Sequence, residues 1–388
     1  MTSETLPTST GSPGDVSFVE QPAPRVSVVI LAWKLTEQLL VCLDSLRQSV
    51  GAPAFEVQLV LNGADAGVRE IVAKSVVGAN IIDLPVNAGF GGGCNAGAAT
   101  ARGEFVLFLN DDTVVPPTWM ASLVQAADDA PRAGAIASVL LNSDGTIQEG
   151  GSRVLQSAAT VQFGKGMTVA AAEAAHLLGD REIDYGSGAA LLVRRSIFET
   201  VQGFDPLFEP AYFEDVDLCF RLRQAGAGVR LAGAARVLHL SGESTKDNRR
   251  FREFASWRSG LRFIQRWAST LEHAPLADAP PGELCDPGRW TGPVRPTQPT
   301  PFSLESKALS IASDYAQWLA TRLDQVQDAL TVTEAALAAT HTSVDDAHDR
   351  LRVALARLED LDSRGPIGIV KWKVGAAANR RSKRRTSQ

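Results

Sequence analysis

Apolar and polar positions alternate in blocks along the first two thirds of the chain. Val26–Leu31 and Phe105–Leu109 are short apolar runs rich in β-branched or aromatic residues, the pattern of strands buried on both faces. Phe55–Leu61, Asn80–Leu84 and Ala133–Leu141 read as further strands. Between them, Leu39, Leu40, Leu43 and Leu46 recur at helical spacing within Leu35–Gln48. Gly67–Ser75 reads as a short helix. Another starts at Pro116-Pro117-Thr118-Trp119, where Pro suits the first turn. A Gly-rich stretch, Asn87–Gly97, leads into a helix over Ala98–Ala101. Strands alternating with helices in this way predict an α/β fold with a mostly parallel sheet and right-handed crossovers.

The pattern loosens over residues 142–183 and then resumes. Tyr185–Arg195 reads as a Gly turn feeding a strand, and Ser196–Val201 as a short helix. Val216, Phe220 and Leu222 place a helix behind the acidic pair Glu214-Asp215. Gly228–Ala232 and Ala235–Leu240 read as two short strands, and Arg249–Trp267 as a helix with a basic, aromatic face. That helix either lies on a membrane surface or anionic lipid-linked acceptor, or packs its rings on the core. Residues 1–24 read as a disordered leader and the Pro-rich residues 274–302 as a linker. In 303–362, Leu319, Leu323, Val326, Leu330, Val344, Leu351, Leu355 and Leu358 suggest a long amphipathic helix or coiled coil. Residues 363–388 form a basic tail, either lipid-binding or simply solvated.

Composition narrows the class. The chain has 388 residues and a net charge of −6, so a nucleic-acid partner is not indicated. Its apolar runs, Val26–Trp33 among them, fall far short of the roughly 20 residues a membrane helix needs. The N-terminus shows no secretory signal pattern. Cys42, Cys94, Cys219 and Cys285 are widely spaced, which suits reduced thiols in the cytoplasm rather than disulfides or a zinc site.

The candidate chemistry gathers where apolar runs end in carboxylates. Phe105–Leu109 runs straight into Asn110-Asp111-Asp112. Ionised carboxylates cannot stay in an apolar interior, so they emerge at the strand's C-terminal end, where open α/β sheets bind ligands. Two adjacent carboxylates need compensation, and a divalent metal on a diphosphate supplies it. The plain alternative is an Asp capping a helix. The Gly-rich stretch faces a sugar or diphosphate, or else is a tight turn with close helix–sheet packing. It is neither a dinucleotide fingerprint nor a P-loop.

Taken in order, these segments resemble the inverting glycosyltransferases with the GT-A fold, specifically the large family 2 that contains bacterial rhamnosyl- and galactofuranosyltransferases. The resemblance covers about residues 25–270. It rests on Val26–Leu31, Asn87-Ala88-Gly89-Phe90 with Asn95-Ala96-Gly97, Phe108-Leu109-Asn110-Asp111-Asp112, Gly186-Ser187-Gly188-Ala189, Gly203-Phe204-Asp205 and Glu214–Arg221. It implies a Rossmann-like, mostly parallel sheet with flanking helices over residues 25–273, extended by the C-terminal helical region. It also implies a metal, Mn²⁺ or Mg²⁺, on Asp112 and His239, and a general base at Asp215 with Glu214 beside it. Asn110 departs from the family's Asp-x-Asp pattern. The donor would meet Ala32, Trp33, Asn62, Asp65, Asn87, Gly89, Phe90, Asn95, Asn110 and Asp111. The acceptor side would include Gly186, Ser187, Gly188 and Asp217.

The resemblance therefore implies transfer of a sugar, rhamnose or galactofuranose foremost, from a nucleotide-sugar donor to a lipid-linked or polymeric cell-surface glycan. A single attack from the opposite face inverts the anomeric carbon and needs one carboxylate base, not a glycosidase pair. The expected setting is cytoplasmic, peripheral on the inner membrane face, with self-association through residues 303–362. Two other readings remain: a nucleotidyltransferase or sugar-phosphate enzyme, which lacks a basic motif near the first strand, and an inactive glycan-binding or scaffold protein.

Overall fold

A computed structural model describes residues 15–240, 249–280, 282–285 and 304–362. The chain divides into two units, 1–305 and 306–388. In the first, the order is β1 Val26–Ala32, α1 Glu37–Arg47, β2 Phe55–Asn62, α2 Ala66–Ser75, β3 Asn80–Leu84, α3 Gly89–Ala98, β4 Phe105–Asn110, α4 Trp119–Asp129, β5 Ala133–Leu141, β6 Ala190–Arg194, α5 Glu214–Gln224, β7 Gly228–His239 and α6 Arg249–Leu271.

The sheet runs Arg181–Glu182, β7, β5, β6, β4, β1, β2, β3. Pairs β1–β2, β1–β4, β2–β3 and β5–β7 are parallel, while β6 is antiparallel to both β4 and β5. The expected mostly parallel sheet is therefore present, with one reversed strand at its centre. That reversal carries the chain back across the C-terminal ends of β4 and β5, so the Gly186–Gly188 turn ahead of β6 lies beside Asn110. The Asn110 N–H donates to Ala189 O at 3.0 Å.

Successive strand residues feed opposite layers, as a period of two requires. Val28 and Ile30 join a core with Leu39 and Leu43 of α1, Val68 and Val72 of α2, and Trp119 of α4. Val29 and Val60 join another with Cys94 of α3, Phe220 of α5 and Phe263 of α6. All four cysteines are buried and unpaired with one another.

Several expectations change. The Gly-rich stretch is helix α3, not a loop facing a ligand. Gly91, Gly93 and Gly97 are buried in it, and a Cβ on Gly97 would sit 2.4 Å from Val29 Cγ1. Small residues let this helix press onto the sheet. Gly228–His239 is one strand, β7, with a bulge between Ala232 and Arg236 instead of a break. The leader is ordered from residue 15: Val16–Ser17 pairs with Val76–Val77, and Val16 is fully buried. Residues 1–14 lie outside the described residues. The linker begins later than residue 274, because Arg153 donates to Ala279 O at 3.0 Å and the Cys285 N–H to Asp184 Oδ1 at 3.0 Å. Residues 286–303 and the basic tail also lie outside the described residues.

The second unit contains α7, which spans Leu304–Asp362 as one helix. Leu319, Leu323, Val326, Leu330, Leu337, Val344 and Leu351 are exposed along it. Among the described residues no helix is long and apolar enough to cross a membrane.

Candidate active site

Asp112 and His239 come together because β4 and β7 deliver them to the same sheet edge. Thr113–Val114, just past β4, pairs antiparallel with Leu238 and His239, and the Leu240 N–H donates to Asp112 O at 3.0 Å. His239 Nε2 stands 3.2 Å from Asp112 Oδ1, and Asn110 Nδ2 stands 3.3 Å from the same nitrogen. On the ring's far side, Nδ1 is 2.7 Å from Gln148 Oε1. With that oxygen assigned as acceptor, Nδ1 carries the proton and Nε2 of the neutral ring presents a lone pair. It then faces an oxygen, Asp112 Oδ1, that is buried and makes no hydrogen bond. Two lone-pair atoms facing each other without a proton between them suit a cation, and a ring held through its other nitrogen is the usual setting of a ligating His. Among the described residues no cluster of three or more His, Cys, Asp or Glu side chains could hold a metal. The fit is thus to an ion completed by substrate oxygens, as Mg²⁺-type sites commonly are. Asp111, by contrast, is pushed well above the usual carboxylate range by burial and by the Asp112 charge.

Glu214 and Asp215 open α5. The two residues before them, Tyr212 and Phe213, both adopt left-handed backbone (φ 73° and 65°), strain of about 1–3 kcal/mol each that surrounding packing must hold. That packing is α6. Arg262 donates to Leu207 O at 2.7 Å, Ser259 to Ala211 O at 2.9 Å, and the Phe263 ring lies 5.3 Å from that of Phe213. One face of the basic, aromatic helix is therefore a clamp on the loop before the acidic pair. The opposite face exposes Trp257, Leu261 and Ile264.

The acidic pair splits into two different acids. Glu214 is buried, its Oε2 lacks a hydrogen bond, and burial followed by the Asp215 charge pushes it well above the usual range. Burial also raises Asp215, but two N–H groups oppose it. Gly188 donates to Oδ2 at 3.1 Å and Val216 to Oδ1 at 2.8 Å, which favours the charged form. Asp215 also keeps part of its surface open. Of the two, it is the one able to act as a base.

Asp217 does not face an acceptor. It is fully buried, bonded to Arg221 at 2.6 Å and to Arg266 and Trp267 at 3.0 Å each, and so pins α5 to α6. Gly186 and Ser187 lie beside Gly188 in the turn; a Cβ on Gly186 would meet Ala137 Cβ at 2.2 Å.

The donor-side residues divide as well. Trp33 is half-buried, beneath Lys34 Nζ at 4.0 Å from its ring centroid, and follows the buried Ala32. Trp33 O accepts from the Asp65 N–H at 3.2 Å, which joins the ends of β1 and β2. Asp65 itself caps α2 through Val68 N–H at 3.0 Å. Asn62 and Asn87 shape the turn into α3: Asn62 Oδ1 accepts from Ala88 N–H and Asn87 Oδ1 from Gly89 N–H, both at 2.8 Å. Gly89 has φ 75°, and a Cβ there would lie 2.7 Å from Pro210 O. Phe90 packs edge-on to Phe204 and against Gly188. Asn95 holds both the N–H and the C=O of Phe204, at 2.9 and 2.8 Å. Asn62, Phe90 and Asn95 thus build the site's walls. Residues missed in the sequence are Gln148, which orients His239, and Glu149, which accepts from Ser187 N–H at 3.1 Å. Both lie in the irregular 142–183 stretch, where no periodicity marks them.

Residues 27–201 match the family model for glycosyl transferase family 2. That match, with the relatives below, supports a family 2 glycosyltransferase domain in this stretch. That domain resembles those of rhamnosyltransferases. The chain is 29% identical to the O-antigen biosynthesis protein RfbC of Myxococcus xanthus over 247 residues, which are 60% of this chain and 18% of that protein. It is 28% identical to the N-acetylglucosaminyl-diphospho-decaprenol L-rhamnosyltransferase of Mycobacterium tuberculosis over 208 residues, 49% of this chain and 67% of that one. Among solved structures, that of GalNAc-T7 with UDP, GalNAc and Mn²⁺ aligns at 15% identity and a TM-score of 0.49, over 66% of this chain and 50% of the other.

Proposed function

We propose that the protein is an inverting glycosyltransferase. It moves a sugar, rhamnose or galactofuranose in first place, from a nucleoside-diphosphate donor to a hydroxyl of a cell-surface glycan or lipid-linked saccharide. The observation that carries this reading is the joining of two acidic sites at one sheet edge. Gly188, which holds Asp215, is next to Ala189, whose carbonyl takes the N–H of Asn110 in the Asn110-Asp111-Asp112 segment.

In this reading Asp215 takes the proton of the acceptor hydroxyl as its oxygen attacks the anomeric carbon. The Gly188 and Val216 N–H groups keep the carboxylate charged and oriented until then. Asp112 and His239 would hold the divalent metal, which when bound supplies positive charge for the leaving diphosphate. Trp33 and Asp65, joined at the ends of β1 and β2, would meet the base and ribose.

An open apolar groove of about 820 Å³ runs beside Tyr212 and Phe213, lined also by Ser157, Trp257, Leu261 and Ile264. Its position next to Glu214-Asp215 and its apolar lining favour an acceptor carried on a lipid, presented at a membrane surface. On α7, apolar residues recur at alternating steps of four and three from Leu319 to Leu330, and then every seven residues through Leu337, Val344 and Leu351. That repeat favours a coiled coil with a second copy of the chain.

The test is incubation with a panel of sugar nucleotides, Mn²⁺ and a lipid-linked saccharide, reading nucleoside diphosphate release. Acceptor-dependent release from one donor supports the reading. A protein that binds glycan but releases nothing from any donor would instead be the inactive scaffold.

A further inference from the structure

Glu149 is a buried acid that the mechanism above leaves without a task. It sits at the end of a three-residue strand, Ile147–Glu149, that pairs with β5. Successive strand residues point to opposite faces. Gln148 meets His239, and Glu149 meets the turn before β6. There the chain offers two consecutive N–H groups to two different carboxylates: Ser187 donates to Glu149 Oε1 and Gly188 to Asp215 Oδ2, each at 3.1 Å.

We propose that Glu149 is a positioning residue for the base. It fixes the Gly186–Ser187 peptide, next to the Ser187–Gly188 peptide whose N–H holds Asp215, and its own charge sets how strongly Asp215 binds a proton. This rests on the reading of Asp215 as the base.

Two carboxylates held by successive peptides in a largely dry setting do not both ionise readily. Burial first, then the Asp215 charge, push Glu149 up to about 7. The other groups facing it do little to offset this. Tyr185 is buried with its own ionisation pushed up, and the Lys165 ammonium attracts from an exposed position. The Ser187 N–H and the Ser152 hydroxyl favour the charged form of Glu149 as two N–H groups do for Asp215, but Glu149 is the more enclosed of the two, so the pair's single proton rests on Glu149 near neutral pH. As pH rises, Glu149 loses it, and a second negative charge appears beside Asp215. A base flanked by negative charge binds its proton more tightly and is stronger. At a half-sensitive Brønsted slope and one unit of coupling, turnover rises about threefold between about pH 6 and pH 8.

The test uses the full chain and Glu149→Gln, which keeps an oxygen for the Ser187 N–H but cannot ionise. Because Glu214 and Asp111 are also pushed up, the readout is the wild-type minus E149Q infrared difference: at about pH 6 it should show the C=O stretch of one protonated acid, fading as pH passes 7. The wild-type kcat should rise over the same range, and that of E149Q should stay flat. Absence of that difference band, or an E149Q profile that rises as the wild type does, overturns the proposal. Asp215→Asn separates it from the underlying reading. Turnover surviving that change overturns the base and this proposal together. Loss of turnover in Asp215→Asn, with an unaltered E149Q profile, overturns the proposal alone.

Discussion

Gln148 Oε1 lies 2.7 Å from His239 Nδ1, joining residues 91 positions apart in the chain. That contact turns the opposite ring nitrogen toward Asp112 and so defines the polar pocket at the end of β4. Removing the ring should weaken metal binding without unfolding the sheet, since β7 is held by its backbone pairing with β5. His239→Ala should raise the Mn²⁺ concentration needed for half activity, and Gln148→Ala should do so by about 10–100-fold through loss of orientation. Metal titration of nucleoside diphosphate release checks both. A metal-free protein with full activity would remove the metal from the account.

Asn95 and Gly97 have structural tasks, and their substitution should show it. Asn95→Ala strands the Phe204 N–H and C=O, a loss of about 1–3 kcal/mol. Gly97→Ala drives a Cβ against Val29 and costs about 1–3 kcal/mol by overpacking. Denaturant unfolding should show both losses while donor affinity in the folded fraction stays at the wild-type value.

The ionisation of Glu149 makes stability depend on pH in a definite direction. Its value in the folded chain, about 7, lies above its ordinary 4.5. The folded state therefore binds the proton more tightly, and the resulting stability is fully present below 4.5 and lost as pH rises through about 7. The loss is on the order of 3 kcal/mol. Glu149→Gln should lack it, so its melting temperature should exceed the wild type's at alkaline pH and lose that margin in acid.

A chain ending at residue 302 should keep the nucleotide site but lose self-association, because α7 carries the exposed heptad-spaced residues. Ending at 275 instead would remove the Ala279 and Cys285 contacts to Arg153 and Asp184 and destabilise the catalytic unit. Light scattering and thermal melts of the three lengths distinguish these effects.

Much of the fold was legible because its strands are continuous apolar runs. Ala133–Leu141 and Asn80–Leu84 were read with their observed bounds. Asn110-Asp111-Asp112 and Glu214-Asp215 were legible because paired acids beside apolar runs stand out, although Asp112 and Glu214 stay buried at the sheet edge and do not emerge from it. Glycine misled: in Gly89–Ala98 it marks close packing of a helix, and propensity alone points to a loop. Asp217 looked like a third site acid because sequence does not show that Arg266 and Trp267, 49 and 50 positions on, converge on it. Gln148 and Glu149 were hidden because a three-residue strand has no period to read.

The most direct test is Asp215→Asn, which keeps the size and the hydrogen bond from Gly188 but cannot take a proton. Single-turnover sugar transfer should fall by about 10²–10⁴ while donor binding, measured by calorimetry, is unchanged. Transfer at the wild-type rate would contradict the account, because Asp215 would then have no part in the chemistry.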